Sequence, residues 1–250
     1  MLSFVVLFLA AFCAGIQNAL AGGGSFLTFP SLLLTGLDAR AANITSTIAL
    51  FPGQITTGFA GRSHVAGLPS LSFRALFSIS LIGGVVGALL LLATPASIFE
   101  FLVPWLVFFA TLVFIWGRFF RKKTDTKKHL PPLAAGFAQF AISIYGGYFG
   151  GGIGILMLAV LTLAGQNVRI ASATKMVLAA AMNASAVLIF LFSHDVAWLQ
   201  VLIAAIASIA GGQVGAHLIL RIPEKTLSYF IVFLGFVLTI GLFMRTLHAV

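Results

Sequence analysis

Ala21-Gly22-Gly23-Gly24-Ser25 decides the fold, together with its echo Phe149-Gly150-Gly151-Gly152-Ile153. Each triplet interrupts apolar sequence. The first lies between Leu2–Leu20 and Phe26–Leu34, the second between Leu133–Tyr148 and Ile155–Leu163. Three consecutive glycines destabilise a helix by roughly 1 kcal/mol each relative to alanine. In lipid a broken helix costs more, because unpaired N–H and C=O groups find no water there. Such a break is tolerated only where it is buried in protein or lines a wet cavity. One triplet is also explained by close helix–helix packing. Two breaks at corresponding positions of two halves point instead to the binding site of a transporter.

The composition around these breaks is that of a membrane protein. Hydrophobic residues make up 60% of the chain and charged residues only 8%, against about 25% charged in a soluble domain. The chain cannot cover itself with a water-compatible surface, so the fold class is an all-α polytopic membrane protein in the lipid bilayer. The formal charge is +9. Six of the fourteen basic residues fall in one stretch: Arg118, Arg121, Lys122, Lys123, Lys127 and Lys128. A basic loop between apolar spans is an orientation signal that places it in the cytoplasm. No aromatic-basic platform accompanies it, so nucleic acid is not an expected partner. Cys13 is a lone small residue in an apolar run. His64, His129, His194, His217 and His248 are scattered, so no metal and no cofactor is expected. Ala19-Leu20-Ala21 before Gly22 has the look of a signal-peptide end, but no basic segment precedes it. Residues 1–21 are therefore read as part of the working protein.

Apolar windows give about eight segments, four per half: Leu2–Leu34 and Leu133–Leu163, each broken at its glycines, then Ile44–Ala60, Ala75–Ala93, Phe99–Phe119, Ile170–Phe192, Trp198–Leu218 and Leu227–Met244. The broken segments are long enough for a span plus a re-entrant half-helix. The halves match at a spacing near 128, set by Gly22 and Gly150. Gly83-Gly84-Val85-Val86-Gly87-Ala88 falls on Gly211-Gly212-Gln213-Val214-Gly215-Ala216, and Pro95 on Pro223. Thr35-Gly36-Leu37-Asp38-Ala39-Arg40 resembles Ala164-Gly165-Gln166-Asn167-Val168-Arg169, with one residue inserted. The expected layout is a first membrane repeat over 1–120, a basic cytoplasmic loop over 121–130 and a second membrane repeat over 131–250. The loop after the second segment is basic in the first half (Arg62) and not in the second (His194-Asp195). After the third segment this reverses, from Pro95 to Arg221-Ile222-Pro223-Glu224-Lys225. The swap favours inverted halves, each crossing the membrane an odd number of times. A parallel duplication stays open, as does the oligomeric state, with a homodimer as one arrangement.

The same chain carries an ordered set of motifs. They are Ala21-Gly22-Gly23-Gly24-Ser25-Phe26-Leu27-Thr28-Phe29-Pro30, Ala42-Asn43-Ile44-Thr45-Ser46-Thr47, Phe51-Pro52-Gly53-Gln54, Ala173-Thr174-Lys175 with Asn183, Val196-Ala197-Trp198, and Gly211-Gly212-Gln213-Val214-Gly215-Ala216 ahead of Arg221-Ile222-Pro223-Glu224. In this order they resemble the TauE/SafE family of sulfite and organosulfonate exporters over essentially the whole chain. One departure is Gly152-Ile153-Gly154-Ile155, which has no proline where Pro30 stands in the first half. The resemblance implies a secondary carrier, an exporter of a small sulfur anion such as sulfite or a C2–C3 organosulfonate. The paired glycine breaks place the expected binding site near the bilayer midplane between the repeats, in the plasma (inner) membrane. The alternatives are a carrier of another small organic anion, a carboxylate, or an anion channel. An enzyme is not expected: Asp38, Asp125 and Asp195 all lie in loops, and no paired catalytic carboxylates occupy a span.

An oxyanion needs positive potential and several hydrogen-bond donors. Helix N-termini supply both, and Gly22, Gly23, Gly24, Gly150, Gly151 and Gly152 let backbone amides approach an anion without side chains in the way. Ser25 adds a hydroxyl. At the start of the second segment in each half, Asn43, Thr45 and Ser46 correspond to Ser172, Thr174 and Lys175. Lys175 lies about five residues inside its apolar run, roughly 8 Å from the end. A lysine there is costly and points to a functional site, the alternative being that it snorkels to the interface. Eight residues further on stand Gln54 (from Ser46) and Asn183 (from Lys175), matched amides that suit an uncharged hydrogen-bonding ring around an anion or hydrogen bonds between helices. Arg40 and Arg169 are matched loop cations placed to steer anions or fix topology. His64, His194 and Asp195, with His217, are lesser candidates for handling protons.

Overall fold

Each apolar window is helical, and the helices end where sequence chemistry ends them. The computed structural model describes residues 1–20, 23–61, 65–69, 71–116, 130–218 and 224–248. Within them run ten helices: α1 (Leu2–Leu20), α2 (Ser25–Leu33), α3 (Ala39–Gly61), α4 (Phe73–Ala93), α5 (Ala96–Ile115), α6 (Pro132–Tyr148), α7 (Ile153–Leu163), α8 (Val168–Phe190), α9 (Trp198–Leu218) and α10 (Glu224–His248). The eight windows become ten helices because each glycine break divides one window in two. Gly36 (φ 95°) follows α2 and Gly165 (φ 103°) follows α7. Both adopt the left-handed conformation that only glycine tolerates readily. Asp38 then accepts the amides of Arg40 and Ala41 at the start of α3, and Asn167 accepts the amide of Ile170 at the start of α8. These are N-caps at matched positions. α3 runs on through Pro52.

Among the described residues, four helices are long and apolar enough to cross a membrane: α4, α5, α8, and α9 over Trp198–Gly215. Large apolar side chains such as Phe137, Leu188 and Phe192 stand exposed on the outside, as a lipid-facing surface requires. Lipid tails are as apolar as leucine, so close packing and hydrogen bonds must hold such helices together. Glycine makes the closest approaches. A Cβ on Gly211 of α9 would fall on the carbonyl oxygen of Phe12 in α1. A Cβ on Gly83 of α4 would come within 3.1 Å of the carbonyl of Phe140 in α6. Gly83 and Gly211 correspond between the halves, and so do Phe12 and Phe140. More widely, α1 packs on α9 and α6 on α4, α3 packs on α9 and α8 on α4, while α3 packs on α8 and α5 on α10. The halves are therefore interleaved rather than side by side.

Contacts beyond the helices define two ends of the bundle. At one, Arg40 at the start of α3 pairs with Asp195 in the α8–α9 connection at 2.9 Å and donates to the carbonyl of Thr94 between α4 and α5 at 3.0 Å. At the other, Gln166 just before α8 donates to the carbonyls of Ala66 and Gly67, beyond α3, at 2.7 and 3.1 Å. The start of α3 thus lies by the end of α8, and the start of α8 by the end of α3, so the two run antiparallel. The amide of Leu130 donates to the carbonyl of Leu163 at 3.1 Å. That brings the start of α6 and the end of α7 together at the second end.

Candidate functional site: a cavity between the glycine breaks

The two breaks frame a cavity of about 80 Å³. This is room for several waters or one small anion, since one water needs roughly 10–15 Å³. Much of its wall consists of pairs 129 positions apart: Ser25 and Gly154, Thr47 and Met176, Leu50 and Ala179, Gln54 and Asn183. Asn183 Nδ2 donates to Gln54 Oε1 at 2.6 Å, joining the halves at the wall. The stretches Thr47–Gln54 and Lys175–Asn183 are centred on the middles of α3 and α8. The cavity therefore lies halfway along α3 and α8, which pack on each other.

Its polar character is that of a donor set. Lys175 of α8 reaches the cavity with no hydrogen bond or ion pair to any described residue, and none of the described Asp or Glu residues is in the wall. The starts of α2 and α7 both face in. Helical bonding begins at Phe26 and Leu27 in α2, and at Ile155 in α7. Ser25, Ile153 and Gly154 are all in the wall, and their amides make no hydrogen bond among the described residues, as the first amides of a helix do not. Gly23 (φ 92°) and Gly150 (φ 83°) also line it, both left-handed. The breaks are held differently. In the first, Gln17 Nε2 donates to the carbonyl of Gly23 at 2.9 Å and the amide of Gly24 donates to Asn18 Oδ1 at 2.8 Å. In the second, the amides of Phe149 and Gly150 both turn back onto the carbonyl of Tyr145, at 2.8 and 3.3 Å. One break uses side chains of the preceding helix, the other its own backbone.

Of the residues singled out in the sequence, Gly23, Ser25, Gln54, Gly150, Lys175 and Asn183 meet at the cavity. Others stand apart, with protein partners of their own. Thr45 accepts the amide of Ala197 at 3.2 Å, and its counterpart Thr174 accepts the amide of Ala66 at 3.2 Å. Each threonine holds a connection of the opposite half. Ser46 shares a buried 2.6 Å hydrogen bond with Thr28, and Asn43 Nδ2 donates to the carbonyl of Tyr148 at 3.0 Å. Gly24 is buried against Asn18. Gly151 packs against the Phe149 ring and Ala110, and Gly152 (φ 74°) caps α7 beside Ala110. Ser172 is not in the cavity wall. Gly22, His64 and the basic stretch 118–128 lie outside the described residues, as does the side chain of His217. Arg40 and Asp195, read as a steering cation and a proton carrier, are bound to each other, while Arg169 and His194 are exposed. Sequence reading missed Asn18, Thr47, Leu50 and the Ile153–Gly154 amides. Two signals for them were present: Gln17-Asn18 is a polar pair in an apolar run, and Thr47, Leu50 and Gln54 share one helical face.

The chain matches the family described as Sulfite exporter TauE/SafE over residues 7–244. It belongs to that family. A "Probable membrane transporter protein" of Haemophilus influenzae is 27% identical over 237 residues, covering 94% of this chain and 92% of the relative. "Probable membrane transporter protein ORF9" of a Sinorhizobium species is 30% identical over 246 residues, with 97% and 93% covered. "Probable membrane transporter protein YfcA" of Escherichia coli K12 is 29% identical over 239 residues, with 94% and 87% covered. With its apolar helices, this TauE/SafE protein is a multi-pass membrane transporter.

Proposed function

We propose that this transporter carries a small sulfur oxyanion, sulfite or a C2–C3 organosulfonate, as a secondary carrier working outward, with the central cavity as its binding site. The observation that carries the reading is Lys175, a lysine with no partner among the described residues, in a cavity whose polar lining is amides and hydroxyls with no carboxylate among those residues. An unpaired charge at this depth is costly unless something neutralises it. A bound anion does so, and the helix starts of α2 and α7 add N–H donors and dipoles of the same sign. An uncharged or cationic substrate would leave these groups without use. In this reading Gly23 and Gly150 keep the backbone bare where the anion sits, and Gln54 and Asn183 orient it.

Alternating access belongs to the same proposal. Antiparallel α3 and α8 and the interleaved pairing support two inverted repeats related by an axis through the cavity. The Leu130–Leu163 bond supports a re-entrant α6–α7 pair that enters and leaves by one face. By the positive-inside rule, that face, adjoining the basic stretch 118–128, is cytoplasmic in the plasma membrane.

Counterflow in proteoliposomes tests the substrate. Vesicles loaded with unlabelled sulfite or ethanesulfonate should accumulate labelled sulfite, and vesicles loaded with propanoate should not. Equal exchange against propanoate would make this a carrier of organic carboxylates. No exchange with any of these anions would remove the oxyanion reading.

A further inference from the structure

Resting on the oxyanion reading of the cavity, we infer that Asn18, at the end of α1, is a specificity-determining residue that donates to a third oxygen of the substrate. Three facts lead there. Asn18 is in the cavity wall with Ser25, Gln54, Lys175 and Asn183. Its carbonyl oxygen Oδ1 is engaged by the Gly24 amide at 2.8 Å. A backbone N–H can only be met by the oxygen of a side-chain amide, so this bond fixes which way the amide faces. The Nδ2 group is then left with two protons, and neither has a partner among the described residues.

The position matters as much as the donor. Lys175 approaches from α8, the Ser25 hydroxyl and amide from the start of α2, and Asn18 from the end of α1. Three donor sources on three separate elements suit a pyramidal oxyanion with three oxygens. A planar carboxylate has only two, so one oxygen must serve two donors that approach from different elements, and a site built to hydrogen-bond a group discriminates strongly against a ligand that lacks it. The second half offers no equivalent. Gly146 stands where the repeat spacing of 128 places the counterpart of Asn18, and that break is closed by the Tyr145 carbonyl. The donor comes from one half alone, so the binding site is asymmetric although its frame is matched.

Affinities of the purified, detergent-solubilised protein for ethanesulfonate and propanoate, measured by calorimetry, test this. Wild type should bind ethanesulfonate the more tightly. Asn18→Asp keeps the oxygen that holds Gly24 and replaces the donor by a second oxygen. It should keep the wild-type melting temperature and weaken ethanesulfonate binding at least tenfold. Asn18→Ala, which adds no charge, should cut the sulfonate-to-carboxylate affinity ratio at least fivefold. A residue that only holds the glycine break would behave otherwise. Asn18→Asp would bind like wild type, and Asn18→Ala would weaken both anions equally and leave the ratio intact; either result overturns the assignment. Wild-type protein that binds neither anion would overturn the oxyanion reading itself. Wild-type binding of both anions with equal affinity would overturn only the role of Asn18.

Discussion

A polar side chain inside a span has two kinds of partner available, a neighbouring backbone or a ligand, and its residue type does not say which. Thr45, Ser46 and Thr174 look like ligand groups in the sequence, but each is engaged by protein. Lys175 looks the same and has no partner among the described residues. Spacing put all of them at the start of matched helices. Only the fold shows that the connection at Ala66 passes over Thr174 while Lys175, one residue on, turns to the cavity. Thr174→Val should therefore cost about 1 kcal/mol of stability, the worth of a typical hydrogen bond, and leave anion affinity within twofold. A lower melting temperature with an unchanged binding isotherm is the expected pair of results. A large loss of affinity would return Thr174 to the site.

At the scale of elements, the glycine breaks were the most legible feature, and the helix boundaries followed from them together with the hydropathy windows. What the sequence did not reveal is which glycine does what. Within the second triplet, Gly150 faces the cavity, Gly151 packs on Phe149, and Gly152 caps α7. Those differences depend on backbone torsions and on Ala110 of α5, which is distant in sequence. Gly36 offers a control, because it is also left-handed (φ 95°) but has nothing within 4 Å of its Cβ direction. Alanine at a left-handed position costs roughly 1–2 kcal/mol. Gly36→Ala and Gly150→Ala should then lose similar stability, while only Gly150→Ala should also lose transport. Thermal melts beside proteoliposome flux read both quantities. Equal flux in the two variants would reduce Gly150 to a structural turn.

At the scale of the whole molecule, the repeat spacing was readable in the sequence, but the hand of the duplication rested on loop charges. The antiparallel course of α3 and α8 and the paired starts and ends of α6 and α7 add a geometric reason for inversion. If the halves are inverted with three or another odd number of crossings each, the two ends of the second half open to opposite sides. A reporter fused within 121–129 should then register the cytoplasm, and one fused after Val250 the opposite side. Alkaline-phosphatase activity from the first fusion would reverse the orientation, and the same side for both would favour a parallel duplication. The central claim is that an anion at the meeting of the halves neutralises Lys175, and ethanesulfonate affinity of purified wild-type and Lys175→Ala protein, measured by calorimetry, tests it most directly. A charge-assisted hydrogen bond contributes about 1.5–3 kcal/mol, so Lys175→Ala should bind roughly 10- to 150-fold more weakly. Affinities within twofold of each other would contradict it.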